Sequence, residues 1–217
     1  MDMGNTKEIF RILENKYKKA EIELKYRNPM QLLVAVILSA QCTDKRVNIV
    51  TKNLFKKYKT ARDFANANLK TFQKGIYSTG FYRNKAKNII ATAKIIDSQY
   101  NGKVPRTMEE MLKLKGVARK TANVVLGNAY GVIEGIAVDT HVIRLSQRLG
   151  LSKNKDPKKI EQDLMKILPK EKWLKITYQL IGHGRQICEA KKPKCDKCPL
   201  NKVCPSAFKF KHFKTNS

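Results

Sequence analysis

Apolar residues recur every three to four positions along most of the chain, and no window alternates convincingly over strand length. Residues 6–18 place Ile9, Phe10, Leu13 and Tyr17 on one helical face. Asn28-Pro29 is a cap followed by proline at the first helical position. It opens a buried helix through Leu32, Leu33, Val36 and Ile37 that ends at Ser39-Ala40-Gln41. Thr43 or Asp44 caps the next helix, through Val47, Val50, Leu54 and Phe55. A shorter pair is predicted near 60–66 and 68–75. A turn-rich break over 75–82 precedes a long helix through Ala86, Ile89, Ile90, Ala93 and Ile96, which Asn101-Gly102 and Pro105 close. Further on, Asp139 begins a helix through Val142, Leu145 and Leu149, and Asp156-Pro157 caps another through Ile160, Leu164 and Ile167. Pro169 ends it, residues 173–181 form the last helix, and residues 209–217 are expected to fray. The pattern predicts an all-α protein.

Residues 114–126, Leu-Lys-Gly-Val-Ala-Arg-Lys-Thr-Ala-Asn-Val-Val-Leu, organise the rest. Upstream, Thr107-Met108-Glu109-Glu110 spells a capping box for a short helix carrying Met111 and Leu112. Downstream, Ala122, Val125, Leu126 and Ala129 give a second helix one apolar face, starting near Ala118. Gly116 between them suits a sharp left-handed turn. The first turn of the second helix offers unpaired N–H groups and the positive end of a dipole to a phosphate. Arg119 and Lys120 lie on that turn, where cations are normally disfavoured. They call for a nearby anion, or for an amine needed in its neutral form. Taken alone, Lys120 reads as an ordinary phosphate contact.

Charge sharpens the picture. The 217 residues carry a formal net charge of +27, which suits a polyanion partner whose bound phosphates release counterions. Scattered solvated lysines would give the same sum, so the hairpin is what tips the reading to nucleic acid. The longest apolar run, residues 32–40, is far too short to span a membrane, and the first five residues lack the apolar stretch of a secretory signal. A cytoplasmic protein without membrane contact is expected, nucleoid-associated in a prokaryote.

Cys188, Cys195, Cys198 and Cys204 follow the spacing C-x6-C-x2-C-x5-C, with Pro193, Pro199 and Pro205 bending the chain. Four thiolates so close can surround one metal centre. Structural zinc and no metal at all stay open on spacing alone, although zinc modules prefer paired C-x2-C units and only one is present. Cys42, beside an apolar run, reads as a small buried residue.

The hairpin with its second helix, Val138-Asp139-Thr140-His141, Leu38-Ser39-Ala40-Gln41 followed by Thr43-Asp44, and the four cysteines occur together in one order. This combination resembles the helix–hairpin–helix DNA glycosylases, specifically the endonuclease III family, over nearly the whole chain. That family usually has proline and a second glycine where this chain has Lys115 and Ala118. If residue 118 requires positive φ, alanine costs roughly 1–2 kcal/mol there.

The resemblance implies a bifunctional DNA glycosylase and AP lyase acting on duplex DNA with oxidised pyrimidines or abasic sites, in base-excision repair. It implies that Lys120 is the Schiff-base nucleophile and Asp139 the carboxylate that stabilises an oxocarbenium-like transition state. Asp139 is also an ideal N-cap, and the two roles are compatible. Ser39, Asp44 and His141 are pocket candidates, with His141 lining or bracing rather than acting as general base. Gln41 fills the gap left by an extruded nucleotide, and Phe81 is the opposing wedge. Lys115, Gly116, Val117, Ala118 and Arg119 contact DNA, joined by Lys191 and Lys192 near the cysteines. The cysteines hold a [4Fe–4S] cluster whose role is chiefly structural and DNA-docking. The family architecture implies a six-helix lobe over 22–132. A second lobe, from 1–21 and 133–217, carries the cluster loop at 188–204. Lys120 and Asp139 then come from different lobes and face one cleft. A monomer is expected. Adenine-specific mismatch enzymes lack the lysine and usually extend beyond the cysteines, which argues against that branch. The rival class is a non-catalytic helix–hairpin–helix protein with a structural or redox-sensing cluster.

Overall fold

A computed structural model describes residues 3–213, and among them there is no strand. The chain divides into two compact units, Ile22–Glu134 and Met1–Glu21 with Gly135–Ser217.

The first unit contains α2 (Pro29–Leu38), α3 (Asp44–Lys57), α4 (Ala61–Ala65), α5 (Leu69–Ile76), α6 (Tyr82–Gln99), α7 (Met108–Lys113) and α8 (Arg119–Tyr130). α4 and α5 are the short pair that the sequence predicts: Asn66 ends α4, and the Asn68 side chain starts α5 afresh by accepting from Thr71 N–H. α2 is the centre of the unit. Asn28 caps it, Pro29 opens it, and residues 30–38 are all buried. Its neighbours α3, α6 and α8 can therefore each present a single apolar face to it. On the far side of α6, Phe64 stacks on Tyr58 at 5.4 Å and meets Phe72 edge-on at 6.1 Å.

The second unit contains α1 (Met3–Lys16), α9 (Thr140–Arg148), α10 (Pro157–Ile167) and α11 (Trp173–Gln186). Ile9 and Leu13 of α1 join Val142, Leu145, Ile160, Leu164, Ile176 and Leu180 in one core, into which Leu200 of the cysteine loop also inserts. Asp139 and Asp156 cap α9 and α10 as their sequence positions predict, and α10 stops at Ile167 before Pro169.

Three local expectations change. The Thr107–Glu110 box closes in one direction only: Thr107 Oγ1 accepts the Glu110 N–H, but Glu110 takes the Thr107 hydroxyl instead of its N–H. A reciprocal box forms instead at Thr60–Asp63. Cys42 is half-exposed rather than buried, because the chain turns outward at Gln41. Residues 209–213, expected to fray, make defined contacts. Phe208 and His212 pack against Phe213, and His212 Nε2 lies 3.0 Å from the Pro193 carbonyl oxygen. Residues 214–217 lie outside the described residues.

Candidate nucleic-acid interface and cysteine site

In the Ile22–Glu134 unit the hairpin is anchored on α6. Gly116 has φ +73, the left-handed turn its type allows, and Thr92 Oγ1 donates to the Lys115 carbonyl at 2.7 Å. Val117 is buried, while Lys115, Gly116 and Ala118 are exposed. Ala118 has φ −96 and ψ 169, so no left-handed strain arises where the family usually has glycine. It supplies no side-chain cap to α8. Arg119 and Lys120 are the first two residues of that helix, both half-buried. The other helix of this unit that starts without a side-chain cap is α6, after Phe81, whereas α2, α3, α4, α5 and α7 are capped by Asn or Thr. Uncapped first turns keep backbone donors for an external anion.

The same unit holds the two wedge candidates. Gln41 has φ +53 and Phe81 φ +46, and both side chains are exposed, Phe81 by 65%. Left-handed backbone at such residues costs roughly 1–2 kcal/mol each and persists only where surroundings impose it. Ser39 Oγ donates to the Val36 carbonyl, and Thr43 rather than Asp44 caps α3. Lys85 links the two corners: its ammonium donates to the carbonyls of Leu38 at 2.8 Å and Thr79 at 2.7 Å. Lys85 is a site residue that the helical period alone can point to. It stands four residues before Ile89, on the buried face of α6.

In the other unit Asp139 Oδ1 accepts the Val142 N–H at 2.9 Å. His141 Nδ1 lies 3.1 Å from Arg144 Nη2, so its ring braces an arginine. That arginine also donates to the carbonyls of Gly184 and Cys188. Arg148, one turn on, donates to the Glu189 and Ala190 carbonyls at 2.7 Å and lies 3.4 Å from Cys188 Sγ. Its guanidinium covers the Phe210 ring at 4.6 Å. Neither arginine was picked out from sequence, because the chain they hold lies about forty residues away.

Cys188, Cys195, Cys198 and Cys204 line one hollow, with Arg148, His183 and Phe210 among its walls. Among the described residues no three His, Cys, Asp or Glu groups converge closely enough for a single ion. Mononuclear zinc would draw four sulfurs to about 2.3 Å from one point. Burial pushes the Cys198 thiol up to about 11, reinforced by the charges of Cys204, Cys188 and Cys195. Such a set becomes four thiolates only around a compensating positive centre. The donor set, four sulfurs lining one hollow, is of the kind that suits an iron–sulfur group. Lys191 and Lys192 are exposed beside it. Among the described residues no helix is long and apolar enough to cross a membrane.

Residues 34–170 match the family of HhH-GPD superfamily base excision DNA repair proteins. The chain is 53% identical to the endonuclease III of Synechocystis sp. over 92% of its own length and 91% of that protein's. It is also similar, at TM-score 0.92 and 44% identity, to an endonuclease III in a non-covalent complex with DNA, covering 96% of this chain and 98% of that one. The same figures hold for an endonuclease III trapped as a covalent intermediate with DNA. The chain belongs to the HhH-GPD superfamily of base excision DNA repair proteins and, within it, to the endonuclease III family.

Proposed function

We propose that this chain is a bifunctional DNA glycosylase and AP lyase that removes oxidised pyrimidines from duplex DNA and cleaves abasic sites, acting as a monomer. The observation that carries the reading is Lys120 itself. It is an amine on the first turn of an uncapped helix, directly after a left-handed glycine hairpin, in a relative of proteins trapped covalently on DNA.

The chemistry runs through side chains of this chain. Phosphates dock on the hairpin through Lys115, Arg119 and the N–H groups of Gly116 and Ala118, while the Val117 N–H closes the turn onto the Leu114 carbonyl, which fixes the register of the strand. The damaged nucleotide leaves the stack, Gln41 fills its place, and Phe81 wedges the opposing side. The neutral Lys120 amine bonds to C1′ as the glycosidic bond breaks, and the base departs with the bonding electrons and a proton. The sugar ring opens to an iminium on Lys120. Loss of a C2′ proton then expels the 3′ phosphate by β-elimination. Asp139, held by its cap bond at one oxygen, offers the carboxylate charge that stabilises the oxocarbenium-like state, and it can relay protons. Ser39 and Asp44 in the one unit, and His141 in the other, are further pocket candidates.

Cys188, Cys195, Cys198 and Cys204 would hold a [4Fe–4S] cluster. When bound it supplies the positive centre that the four thiolates need and braces the loop carrying Lys191 and Lys192 toward phosphate.

The test is incubation with duplex DNA containing thymine glycol under sodium borohydride, comparing wild type with Lys120→Ala. A covalent adduct lost in the variant is expected. No adduct on thymine glycol or on an abasic site would overturn the lyase assignment: base release without an adduct would mark a monofunctional glycosylase, and neither activity would leave a DNA-binding module.

A further inference from the structure

Two corners of the Ile22–Glu134 unit converge on one buried side chain. In the first, α2 ends at Leu38, Cys42 N–H closes a turn onto the Ser39 carbonyl at 3.1 Å, and Gln41 projects at φ +53. In the second, the 3-10 turn Tyr77–Thr79 leads into Gly80 at φ +69 and Phe81 at φ +46, which precede α6. Neither glutamine nor phenylalanine favours this region, so tertiary structure holds both. Lys85 is 6% exposed and bonded to the carbonyls of Leu38 and Thr79, one at the base of each corner. The Leu38 carbonyl is one of those a helix end leaves without an intrahelical partner. A methionine would fill the same space without placing an ammonium in the interior, where burial lowers the pKa of Lys85. The amine therefore contributes directed bonds that an apolar side chain would not.

We propose that Lys85 is a positioning residue that clamps the corner after α2 to the turn before α6, presenting Gln41 and Phe81 to duplex DNA as one rigid pair. The inference rests on the function proposed above and assigns the geometry of its gap-filling step to a residue that touches no DNA. Its signature is selective. A duplex must be opened and its gap filled, whereas an unpaired strand needs neither. Loosening the pair therefore harms duplex substrates and spares the amine chemistry.

The experiment compares wild type, Lys85→Met and Lys85→Arg by borohydride trapping on thymine glycol duplex, on abasic duplex and on the same abasic strand unpaired. Lys85→Met is expected to lower kcat/KM on both duplexes by roughly ten- to hundredfold, the scale of a small misplacement in a reacting complex. Trapping on the unpaired strand stays within about twofold of wild type, because the Lys120 turn is untouched. A 2-aminopurine opposite the lesion, unstacked and bright with wild type, stays quenched with Lys85→Met. Lys85→Arg, which can still donate to two carbonyls, restores part of the duplex activity. Equal loss on duplex and unpaired DNA, or undiminished duplex activity, overturns the clamp.

If Lys85→Met lacks the helical circular dichroism of wild type, the cycle of Gln41→Ala and Phe81→Ala decides. A pair held as one unit makes the double variant no more than about threefold worse than the poorer single one, whereas independent corners multiply their losses. A wild-type protein that forms no adduct on any of the three substrates sinks the glycosylase–lyase reading and the clamp together. An active wild type beside an equally active Lys85→Met sinks the clamp alone.

Discussion

Gly116 packs against Asn88 so closely that a Cβ on the glycine would stand 2.8 Å from Asn88 Nδ2 and 2.9 Å from Asn88 Cβ. Together with φ +73, this explains the glycine twice over, through backbone conformation and through the approach of α6. Gly116→Ala should cost about 2 kcal/mol or more, of which left-handed strain supplies roughly half. Calorimetry should show melting of this unit lowered by roughly 8 °C or more. Truncating Asn88 to alanine should not rescue the variant, because the Asn88 Cβ is itself in the way. A rescued melting temperature would mean that the amide end of Asn88, rather than its Cβ or the left-handed strain, carries the cost.

Asp139 combines a cap with a carboxylate, and two substitutions separate them. Asp139→Asn keeps an oxygen that can accept the Val142 N–H at the position of Oδ1, so α9 should retain its stability. Asp139→Ala loses the cap as well, at about 0.5–2 kcal/mol. Both should lose on the order of 100-fold or more in base release, the scale of removing one electrostatic stabiliser. Base release in Asp139→Asn close to wild type would reduce Asp139 to a helix cap.

What could be read in advance was local. Asn28-Pro29, Asp139 and Asp156-Pro157 are caps whose partners lie three residues on, so their roles are written in short stretches. Gly116 was legible because one residue type dominates left-handed backbone. Gln41 and Phe81 could be named through family likeness, but their positive φ could not, since their side chains resist it and distant contacts impose it. Arg144 and Arg148 sit four residues apart on α9 and resemble any solvated basic pair until the chain returns with Cys188 beneath them. Long-range polar ties of this kind leave no period in the sequence.

Removal of the proposed iron–sulfur cluster should act on one unit first. His183 bridges α1 and the cysteine loop, with Nδ1 3.0 Å from the Tyr17 hydroxyl and Nε2 3.5 Å from Cys198 Sγ. Burial drives its pKa down to about 4, so near neutral pH it is an uncharged link in this network. Chelation should therefore loosen residues 187–213 and then α1, seen as faster amide exchange there, while α2 to α8 keep their protection. Simultaneous loss in both units would show that the cluster stabilises the whole chain as a single cooperative fold.

Asp163 of α10 supplies a pH test. Hydrogen bonds from the Ser152 hydroxyl at 2.5 Å and the Asn154 amide at 2.7 Å hold its carboxyl below the ordinary range. A depressed folded pKa adds stability that is complete above the unfolded value, near 3.9, and is lost as pH falls through the folded value. Asp163→Asn should thus be less stable than wild type near neutral pH, with the difference shrinking below about pH 4. A difference independent of pH would assign the effect to packing.

Lys115 stands where the family usually has proline, and it is exposed at the tip of the hairpin. Its main chain is anchored by Thr92, so removing the side chain leaves the turn in place. If the ammonium neutralises one phosphate, Lys115→Ala should weaken duplex binding similarly for damaged and undamaged DNA. It should also flatten the dependence of log affinity on log salt by about 0.9. Trapping at saturating DNA should remain near wild type, because neither Lys120 nor Asp139 is disturbed. Lys192→Ala, beside the cysteines, provides the same measurement for the second basic surface. An unchanged salt slope in either variant would remove that lysine from the interface, and a reduced slope in both would show that hairpin and cysteine loop bind the same duplex at once.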